Sequence, residues 1–283
     1  LNEIDYKTPA SWLEKEIEDI KNIKNLQIKT RTSVSAFHGY NFLLARESLT
    51  DHLPLNEREN KIRQRLLKIR AKKVIISTGA LERPMIFDNN DRPGIMLSSA
   101  VKKYAGYYGV ACGENNIFFT NNDSSYETAL CLIKKGIKIE AIIDIREDAK
   151  SKIIEEVEKN KIKIFRGYCV TDTYGYKKIK SIKIMKLSND GEKVIEKSIQ
   201  LNCDCLAISG GWTPAIHLFT QSGGKLKFKD KDEIFIPNIY PSDQISLGSC
   251  NGEFSINKII DSVNKKLKEF LNITNTSYEN TIV

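Results

Sequence analysis

The stretch TNNDSSYETA at residues 120–129 stands where a dinucleotide-binding protein has its phosphate-binding turn, between an apolar run and a helical segment. Such a turn carries glycine at its first, third and sixth positions, and here those positions hold Thr120, Asn122 and Ser125. Asparagine tolerates a positive φ better than most residues and could keep the turn. The free N–H groups of the following helix start could still bind an anion. The stretch is either a nucleotide site with altered chemistry or an ordinary strand–loop–helix connection.

Asp144 ends the next apolar segment and lies 22 positions after Asn122. A carboxylate about 20 residues beyond the turn accepts hydrogen bonds from a ribose 2′-hydroxyl and repels a 2′-phosphate. This spacing favours NAD over NADP, although the nearby Arg146 acts against that preference. An aspartate that only caps a loop at the end of a strand explains the residue equally well.

Two other segments have the composition of parallel strands buried on both faces. VIISTGA at 74–80 ends in Thr78-Gly79, and CDCLAISGG at 203–211 ends in Gly210 and Gly211. Glycine lets a cofactor approach the backbone closely. We expect these two strands to lie side by side and to frame a pocket for an adenine nucleotide between their ends.

Arg83 follows the first of these strands, beside Glu82 and before Pro84. Its guanidinium group could bind a phosphate through two hydrogen bonds, or it could pair locally with Glu82. Both alternatives stay open.

The chain shows no complete catalytic centre and no metal-binding pattern. His217 follows an apolar pair on a predicted helix, so we expect it to pack rather than to act as an acid or base. Cys203-Asp204-Cys205 is a C-x-C without the second pair that structural zinc needs. Cys131 and Cys205 lie in apolar runs and are expected to be reduced core residues.

The composition predicts a water-soluble globular protein: 283 residues, 41% hydrophobic and 28% charged. It has no apolar run of about 18 residues that would cross a membrane. The start, LNEIDYKTPASW, shows neither an initiator Met nor a signal peptide, so we expect a cytoplasmic protein, or a truncated one. The net charge of +8 is spread among acids, as in EKEIEDIKNIK, so we do not expect a nucleic-acid partner.

The order of the predicted elements indicates an α/β protein of the type with two dinucleotide-binding domains. Alternating segments at 26–37 and 62–73 predict a small antiparallel meander, and a βαβ pattern begins at 114. We therefore expect Rossmann-type parallel sheets with small antiparallel meanders. The predicted domains are residues 1–113, the first part of an FAD/NAD(P)-binding domain; 114–200, an inserted NAD-type βαβ domain; 201–270, a return to the first domain; and 271–283, a tail or linker.

Specific motifs make the chain resemble a known family. They are RAKKVIISTGALERPMIFDNNDRPGIMLSSAVKKYAGYYGVACGENNIFFTNNDSSYETA at 70–129 and SGGWTPAIHLFTQSGGKL at 209–226. Both are similar to the alpha subunit of heterotetrameric sarcosine oxidase, and the resemblance covers about residues 8–270. TNND at 120–123 looks like the family's own form of the turn, which keeps the fold without necessarily keeping a ligand.

The resemblance implies oxidative demethylation of sarcosine. Hydride would pass to FAD on the beta subunit, electrons to FMN at the alpha/beta interface, and oxygen would become peroxide. The one-carbon unit would go to tetrahydrofolate on a C-terminal domain, and NAD bound by the alpha subunit would not be consumed. The partners would be the beta, gamma and delta subunits and a small amine substrate. The family's first glycine-rich βαβ unit and its folate domain have no counterpart here, so we expect the central part of the subunit, inactive by itself.

One departure from related flavoproteins bears on the cofactor. In LGSCNGEFS at 247–255, the Gly-Asp that usually contacts a flavin ribityl chain is replaced by Gly248-Ser249, which argues against FAD there and favours NAD. The candidate cofactor-binding residues are Thr78, Gly79, Ala80, Arg83, Thr120, Asn121, Asn122, Asp123, Ser124, Asp144, Gly210, Gly211 and Gly248.

Other functions stay open. One is an NAD(P)H-dependent flavin or disulfide reductase, against which the missing C-x-x-C and the missing turn glycines count. Another is the alpha subunit of a related opine or proline dehydrogenase. The third is a non-enzymatic scaffold or a basic surface that binds nucleic acid.

Overall fold

The computed structural model describes residues 9–195, 197–241 and 243–271, in two compact units. Unit 1 comprises Leu1–Ala80 and Pro214–Val283, and unit 2 comprises Leu81–Thr213. The helices are α1 Pro9–Lys21, α2 Leu55–Arg58, α3 Ser98–Tyr107, α4 Ser124–Ile133, α5 Lys152–Lys159, α6 His217–Gln221 and α7 Ile256–Leu271. The strands are β1 Thr32–His38, β2 Phe42–Ser48, β3 Gln64–Arg70, β4 Val74–Ile76, β5 Ala80–Glu82, β6 Ile95–Leu97, β7 Asn116–Thr120, β8 Ile139–Asp144, β9 Lys163–Arg166, β10 Tyr168–Tyr174, β11 Ser181–Lys186, β12 Ile199–Asn202, β13 Cys205–Ser209, β14 Trp212–Pro214, β15 Lys225–Lys229, β16 Ile234–Ile239 and β17 Gln244–Ser246.

A five-stranded parallel sheet forms the centre of unit 2, in the order β6-β13-β7-β8-β9. Two of its three interior strands, β7 (NIFFT) and β13 (CLAIS), are buried at every position. Continuous apolar runs of this kind suit a parallel sheet that is covered on both faces. The prediction of a wholly buried strand within residues 203–211 is therefore confirmed.

Two different layers cover the faces of this sheet. Because side chains alternate along a strand, Phe118 points to the layer of helices α3, α4 and α5, whereas Ile117 and Phe119 point to the opposite face. There they pack against the antiparallel meander β10-β11-β12, which contributes Ile182 and Ile184 to the same core cluster. The result is the predicted α/β architecture: a parallel sheet with a small antiparallel meander.

Unit 1 combines an antiparallel meander with a short parallel sheet. The meander has the order β1-β2-β3, and the parallel pair is β4 with β17. Its core cluster consists of buried residues from β1, β2, β4, α6 and the segment after β17: Phe37, Leu43, Ile76, Phe219 and Cys250. The middle strand β2 was missed from the sequence because FLLARES has no clean apolar–polar alternation.

The expectation that the strands ending at Gly79 and Gly210 lie side by side is wrong. β4 pairs with β17 in unit 1, whereas β13 pairs with β6 and β7 in unit 2. β4 is also not buried on both faces, since Ile75 is 45% exposed. An apolar run predicts a strand, but it does not specify which strands become its neighbours.

The unit boundaries differ from the predicted domain boundaries at 114 and 200. Residues 81–113 and 201–213, which the sequence assigned to the first domain, contribute β6, α3 and β13 to unit 2. The physical reason is that β13 inserts between β6 and β7 and completes their sheet. Of the predicted tail at 271–283, the structure describes only residue 271, which ends α7; residues 272–283 lie outside the described part of the chain.

The described helices offer no membrane-spanning candidate, since none combines enough length with enough apolar character.

Gly94 gives a test of the turn that leads into β6. Its φ is +99°, and an added Cβ would lie 2.6 Å from Ile179 Cγ2 and 2.9 Å from the carbonyl oxygen of Asp204. We expect Gly94→Ala to lower the free energy of unfolding by about 2–3 kcal/mol, because both the backbone and the packing must shift. Denaturant unfolding followed by circular dichroism measures the change.

Gly106→Ala is the matched control, since Gly106 lies in α3 and its added Cβ would meet nothing within 4 Å. This substitution should stabilise the protein slightly, by up to about 1 kcal/mol. Equal effects of the two substitutions would contradict the packing described for Gly94.

Candidate functional site

The parallel sheet of unit 2 has a topological switch point between β7 and β13. From β7 the chain continues through α4 to β8 on one side, and β13 lies on the other side. In open α/β sheets, ligands bind at the carboxyl ends of the strands at such a point. The predicted turn, which connects β7 to α4, and Ser209, the last residue of β13, both lie there.

The side chain of Asn122 closes this turn. Its Nδ2 donates to the carbonyl oxygen of Ser209 at 3.2 Å and to Ser209 Oγ at 3.0 Å. Its Oδ1 accepts from the backbone N–H of Ser124 at 3.1 Å and from Ser124 Oγ at 2.5 Å. One amide thus joins the end of β13 to the first residue of α4. The Asn122 amide thereby accepts from the N–H group of Ser124, which is one of the helix N-terminal groups that could otherwise bind a phosphate.

Neighbouring side chains reinforce the closed turn. The backbone N–H of Asn122 donates to Thr120 Oγ1 at 3.1 Å, and Thr120 Oγ1 donates to the carbonyl oxygen of Asn122 at 3.0 Å. Trp212 Nε1, which the sequence did not single out, donates to Ser124 Oγ at 3.1 Å. Asn122 is not among the described residues with positive φ. The expectation that it keeps the turn through a glycine-like φ is therefore wrong; hydrogen bonds hold the turn instead.

Asp144 is fully buried, and its carboxylate is already occupied. Tyr126 Oη donates to Oδ2 at 2.8 Å, and the backbone N–H of Arg146 donates to Oδ1 at 2.9 Å. The guanidinium group of Arg146 donates two more hydrogen bonds: Nε donates to Oδ1 at 3.1 Å, and Nη2 donates to Oδ2 at 2.8 Å. A carboxylate has about four acceptor positions, so these four hydrogen bonds leave none for a ribose hydroxyl.

Burial and the charge of Asp144 raise the pKa of the Tyr126 phenol far above its usual range, so this group stays a proton donor. Arg146 also contacts Asp123, with Nη2 2.9 Å from Oδ1. The strand-end carboxylate is therefore one part of an internal network that joins β8 to the turn and to α4.

Gly210 and Gly211 make room for this chain's own backbone and side chains. A Cβ on Gly210 would lie 2.9 Å from the carbonyl oxygen of Pro84, and a Cβ on Gly211 would lie 2.9 Å from Arg83 Nη2. The backbones of these segments are also hydrogen-bonded, from Arg83 N to Gly211 O at 2.8 Å and from Gly210 N to Arg83 O at 2.7 Å. The structure brings the predicted residues Arg83, Gly210 and Gly211 together, but in contact with one another.

In the structure, the polar groups of the unit 2 turn that a dinucleotide could use are bonded within the protein. The Asn122 amide occupies the helix N-terminus, and the acceptors of Asp144 are saturated. The sequence showed only that the turn lacks glycines and that an aspartate ends the next strand; it did not show the hydrogen bonds of Asn122 and Asp144.

Unit 1 has the opposite character at the ends of its parallel strands. Gly79, after β4, has φ +75° and nothing within 4 Å of an added Cβ. Gly248, after β17, has φ +72°, and its nearest atom would lie 3.8 Å away. Because Ile76 pairs with Ser246 in parallel register, the two glycines follow neighbouring strand ends. Bare, accessible backbone at two such ends suits the close approach of a cofactor.

Local hydrogen bonds fix this edge of unit 1. Thr78 Oγ1 donates to the carbonyl oxygen of Ala215 at 2.6 Å, and the backbone N–H of Ala215 donates to Gly79 O at 2.9 Å. Ala80 then begins β5. The buried thiol of Cys250 contacts the carbonyl oxygens of Ile76 and Leu247 and ties the turn after Gly248 to β4.

The remaining candidates in the described part of the chain are His217 and the cysteines. His217 begins α6 with an exposed side chain, so the expectation that it packs is wrong; the short helix leaves its first residue outside the core. All six cysteines are free, Cys205 is fully buried, and Cys131 is half-buried. The described part of the chain contains no group of three or more potential metal ligands.

Asn122→Ala tests the closure of the turn. Because it removes the donor to Ser209 and the acceptor for Ser124, we expect it to cost about 2–3 kcal/mol of the free energy of unfolding. Asn121→Ala is the control: it removes the long hydrogen bond to the carbonyl oxygen of Gly210, at 3.4 Å, and the one that Asn121 Oδ1 accepts from Asn122 Nδ2, at 3.0 Å, but it leaves the contacts of Asn122 with Ser209 and Ser124 in place. Chemical denaturation of both variants measures the difference, and an equal loss would show that Asn122 does not hold the turn.

The thiols of Cys203 and Cys205 provide a test by labelling. Burial, with the nearby charge of Asp204, raises the pKa of Cys203 to about 12, and burial likewise raises the pKa of Cys205 to about 12. Iodoacetamide should therefore leave both unmodified in the native protein at pH 8 and at pH 10, as measured by peptide mass spectrometry. The denatured protein, in which both thiols return to ordinary pKa values, is the positive control. Rapid native labelling at pH 8 would contradict the described burial.

Comparison with known proteins reveals relatives along most of the chain. No protein-family model matches. The chain is 31% identical over 254 residues to sarcosine oxidase subunit alpha of Corynebacterium sp. (strain P-1), covering 89% of this chain and 26% of that protein. It is 32% identical over 222 residues to sarcosine oxidase subunit alpha of Rhizobium meliloti (strain 1021), covering 78% and 21%. The chain thus spans about a quarter of the length of the curated relatives it matches.

Two solved structures share the fold. Thioredoxin reductase of T. acidophilum has a TM-score of 0.65 at 16% identity, covering 96% of this chain and 82% of that chain. L-proline dehydrogenase from P. horikoshii has a TM-score of 0.56 at 21% identity, covering 85% and 40%. These likenesses confirm the predicted Rossmann-type α/β fold class. Over most of its own length, the chain belongs to the family of sarcosine oxidase alpha subunits.

Proposed function

We propose that this chain is the nucleotide-binding part of the alpha subunit of a sarcosine oxidase complex. The whole complex would demethylate sarcosine to glycine, form peroxide and transfer the one-carbon unit to tetrahydrofolate. The alignment with named alpha subunits over 254 residues supports the family part of this proposal. The observation that carries the binding part is the pair of accessible positive-φ glycines at neighbouring strand ends in unit 1.

The nucleotide site would comprise Thr78, Gly79, Ala80 and Gly248. The two glycines would let a pyrophosphate or ribose lie against the backbone, where any larger residue would place a Cβ. Thr78 would hold the turn after β4 through its hydrogen bond to Ala215. The bound nucleotide would be NAD, because Ser249 stands where an aspartate would contact a flavin.

The redox chemistry would be carried out by flavin cofactors and not by amino-acid side chains of this chain. The redox cofactors of the complex would be FAD on the beta subunit and FMN at the interface with the beta subunit, which would supply the electron-transfer chemistry. Its described residues contain no group of three or more potential metal ligands. Its role would be to bind NAD, which would not be consumed, and to dock the other subunits.

The unit 2 candidates would have a structural role in this proposal. Arg83, Gly210 and Gly211 pack against one another, and the turn at 120–124 is tied to Ser209. Asp144 would join β8 to α4 rather than contact ribose.

The beta, gamma and delta subunits and a small amine are the proposed partners, and the proposed location is the cytoplasm. Six free cysteines suit a reducing compartment, where disulfides are rare.

Two alternatives follow from the fold. The likeness to L-proline dehydrogenase makes an alpha subunit for another secondary amine the nearest one. The likeness to thioredoxin reductase suggests an NAD(P)H-dependent reductase. The sequence lacks a C-x-x-C, and the closed unit 2 turn obstructs the NAD(P)H site that such an enzyme needs. NADH oxidation by the isolated chain would favour the reductase.

Gly79→Ala tests the nucleotide site. Nucleotide released from the purified full-length subunit is identified and quantified by mass spectrometry. We expect NAD with the wild type and at least about a tenfold loss of affinity with Gly79→Ala, since the methyl group obstructs the backbone. Wild-type protein that releases neither NAD nor a flavin would refute the cofactor assignment.

Gly191→Ala is the matched control, because Gly191 has φ +73° and equally open surroundings in a hairpin of unit 2. Both substitutions introduce the same backbone strain, so only Gly79→Ala should reduce binding. Hydrogen exchange with added NAD should slow in peptides covering 74–80 and 244–252. Slowed exchange confined to 120–126 would move the site to unit 2 and contradict the proposal.

A further inference from the structure

The positive charge of this chain is concentrated in one small region. Residues 29–73 contain eleven Lys and Arg against four Asp and Glu, a surplus of seven in a chain with a net charge of +8. This region includes the meander β1-β2-β3, whose strands carry Arg46, Arg65, Lys68 and Arg70 against Glu47; the other cations lie in the segments before, between and after the strands.

The two faces of the meander have different environments. Directly opposed residues share a face, and the face with Phe37, Leu43 and Ala45 is buried in the core of unit 1. The opposite face, which we call the outer face, carries Phe42, Leu44 and Arg46 of β2 with their cross-strand partners Arg70, Lys68 and Leu66 of β3.

The outer face mixes cations with accessible apolar surface. Leu66 is 60% exposed, and the side chains of Arg46, Lys68 and Arg70 are exposed as well. The guanidinium of Arg70 lies over the ring of Phe42, 5.4 Å from its centroid. Arginine and aromatic groups on apolar surface are characteristic of protein interfaces.

The cations of the outer face have no acidic partner within the described part of the chain. The nearby carboxylates pair elsewhere: Glu47, on the other face, with Lys29 at 3.2 Å, and Asp51 with Arg63 at 2.5 Å. No ion pair within the described ranges involves Arg46 or Lys68. Each of these cations lies directly opposite an apolar residue on the neighbouring strand, so an acidic partner surface would supply the counter-charges that the described part of the chain does not.

We propose that the outer face of the meander is a docking surface for an acidic, partly apolar face of another protein subunit. The inference rests on the proposed function, which makes this chain one subunit of a complex. Carboxylates of the partner would pair with Arg46, Lys68 and Arg70, and an apolar side chain would cover Leu66. Complementary charge would orient the encounter, while apolar contact would slow dissociation.

The mixture of groups favours a protein over a nucleic acid. A phosphate backbone needs cations, but it offers no counterpart for Leu66 and Leu44 beside them. Phe42 already lies under Arg70, so its ring face is not free to stack on a base.

Charge reversal tests the docking surface. The full-length subunit, with or without Arg46→Glu and Lys68→Glu, is combined with the flavin-carrying beta subunit, and association is measured by biolayer interferometry. We expect at least about a tenfold rise in Kd for the double variant, chiefly through slower association, because like charges would then face each other. Leu66→Ser should instead speed dissociation.

Lys225→Glu and Lys227→Glu form the matched control, since both lysines are exposed on β15 in the same unit and change the net charge equally. This control should change Kd less than twofold. Thermal unfolding verifies that every variant folds. Equal weakening in the control and outer-face variants, or none in either, would overturn the docking surface.

Two further outcomes separate this inference from the proposed function. Wild-type protein that binds NAD but not the beta subunit would overturn the docking surface and leave the nucleotide site standing. Normal subunit assembly by the outer-face variant, with loss of salt-sensitive binding to a random-sequence oligonucleotide, would reassign the face to nucleic acid.

Discussion

The side-chain amide of Asn122 joins the ends of two buried parallel strands in unit 2. β7 and β13 are buried throughout, so the polar groups at their ends must find partners inside the protein. Asn122 supplies them by donating to Ser209 and accepting from Ser124. At the position where this fold type can hold a phosphate, the helix N-terminal N–H of Ser124 is therefore bonded to the protein's own Asn122 amide.

Glycine serves two opposite purposes at strand ends in this chain. At Gly210 and Gly211 the missing side chain admits Arg83 and the backbone that follows it. At Gly79 and Gly248 it leaves accessible backbone: an added Cβ would meet nothing within 4 Å at Gly79 and only Ile259 Cγ2, at 3.8 Å, at Gly248. The residue type and its place after a strand are the same in both units. What differs is whether another part of the chain approaches, and that depends on long-range packing.

This difference explains how far the sequence predicted the structure. The buried strand within 203–211 and the βαβ pattern from 114 were predictable, because periodicity and composition are local. The neighbours of β4 were not, since an apolar run is equally compatible with several partners. The sequence placed Asp144 correctly at the end of β8. It did not reveal that Tyr126 and Arg146 donate hydrogen bonds to the Asp144 carboxylate, because those contacts depend on the tertiary structure. The resemblance to alpha subunits predicted the family, which geometry alone does not specify.

The two units therefore differ in how they use their strand ends. A buried network such as that of Asp144 rigidifies its unit, because every acceptor is satisfied in a region of low dielectric constant. Unit 1 instead presents accessible glycines after β4 and β17, and cations on the outer face of its meander that have no ion-pair partner within the described residues. The two accessible glycines at neighbouring strand ends and the basic outer face both belong to unit 1, which is the physical reason to seek the nucleotide and the partner subunit there.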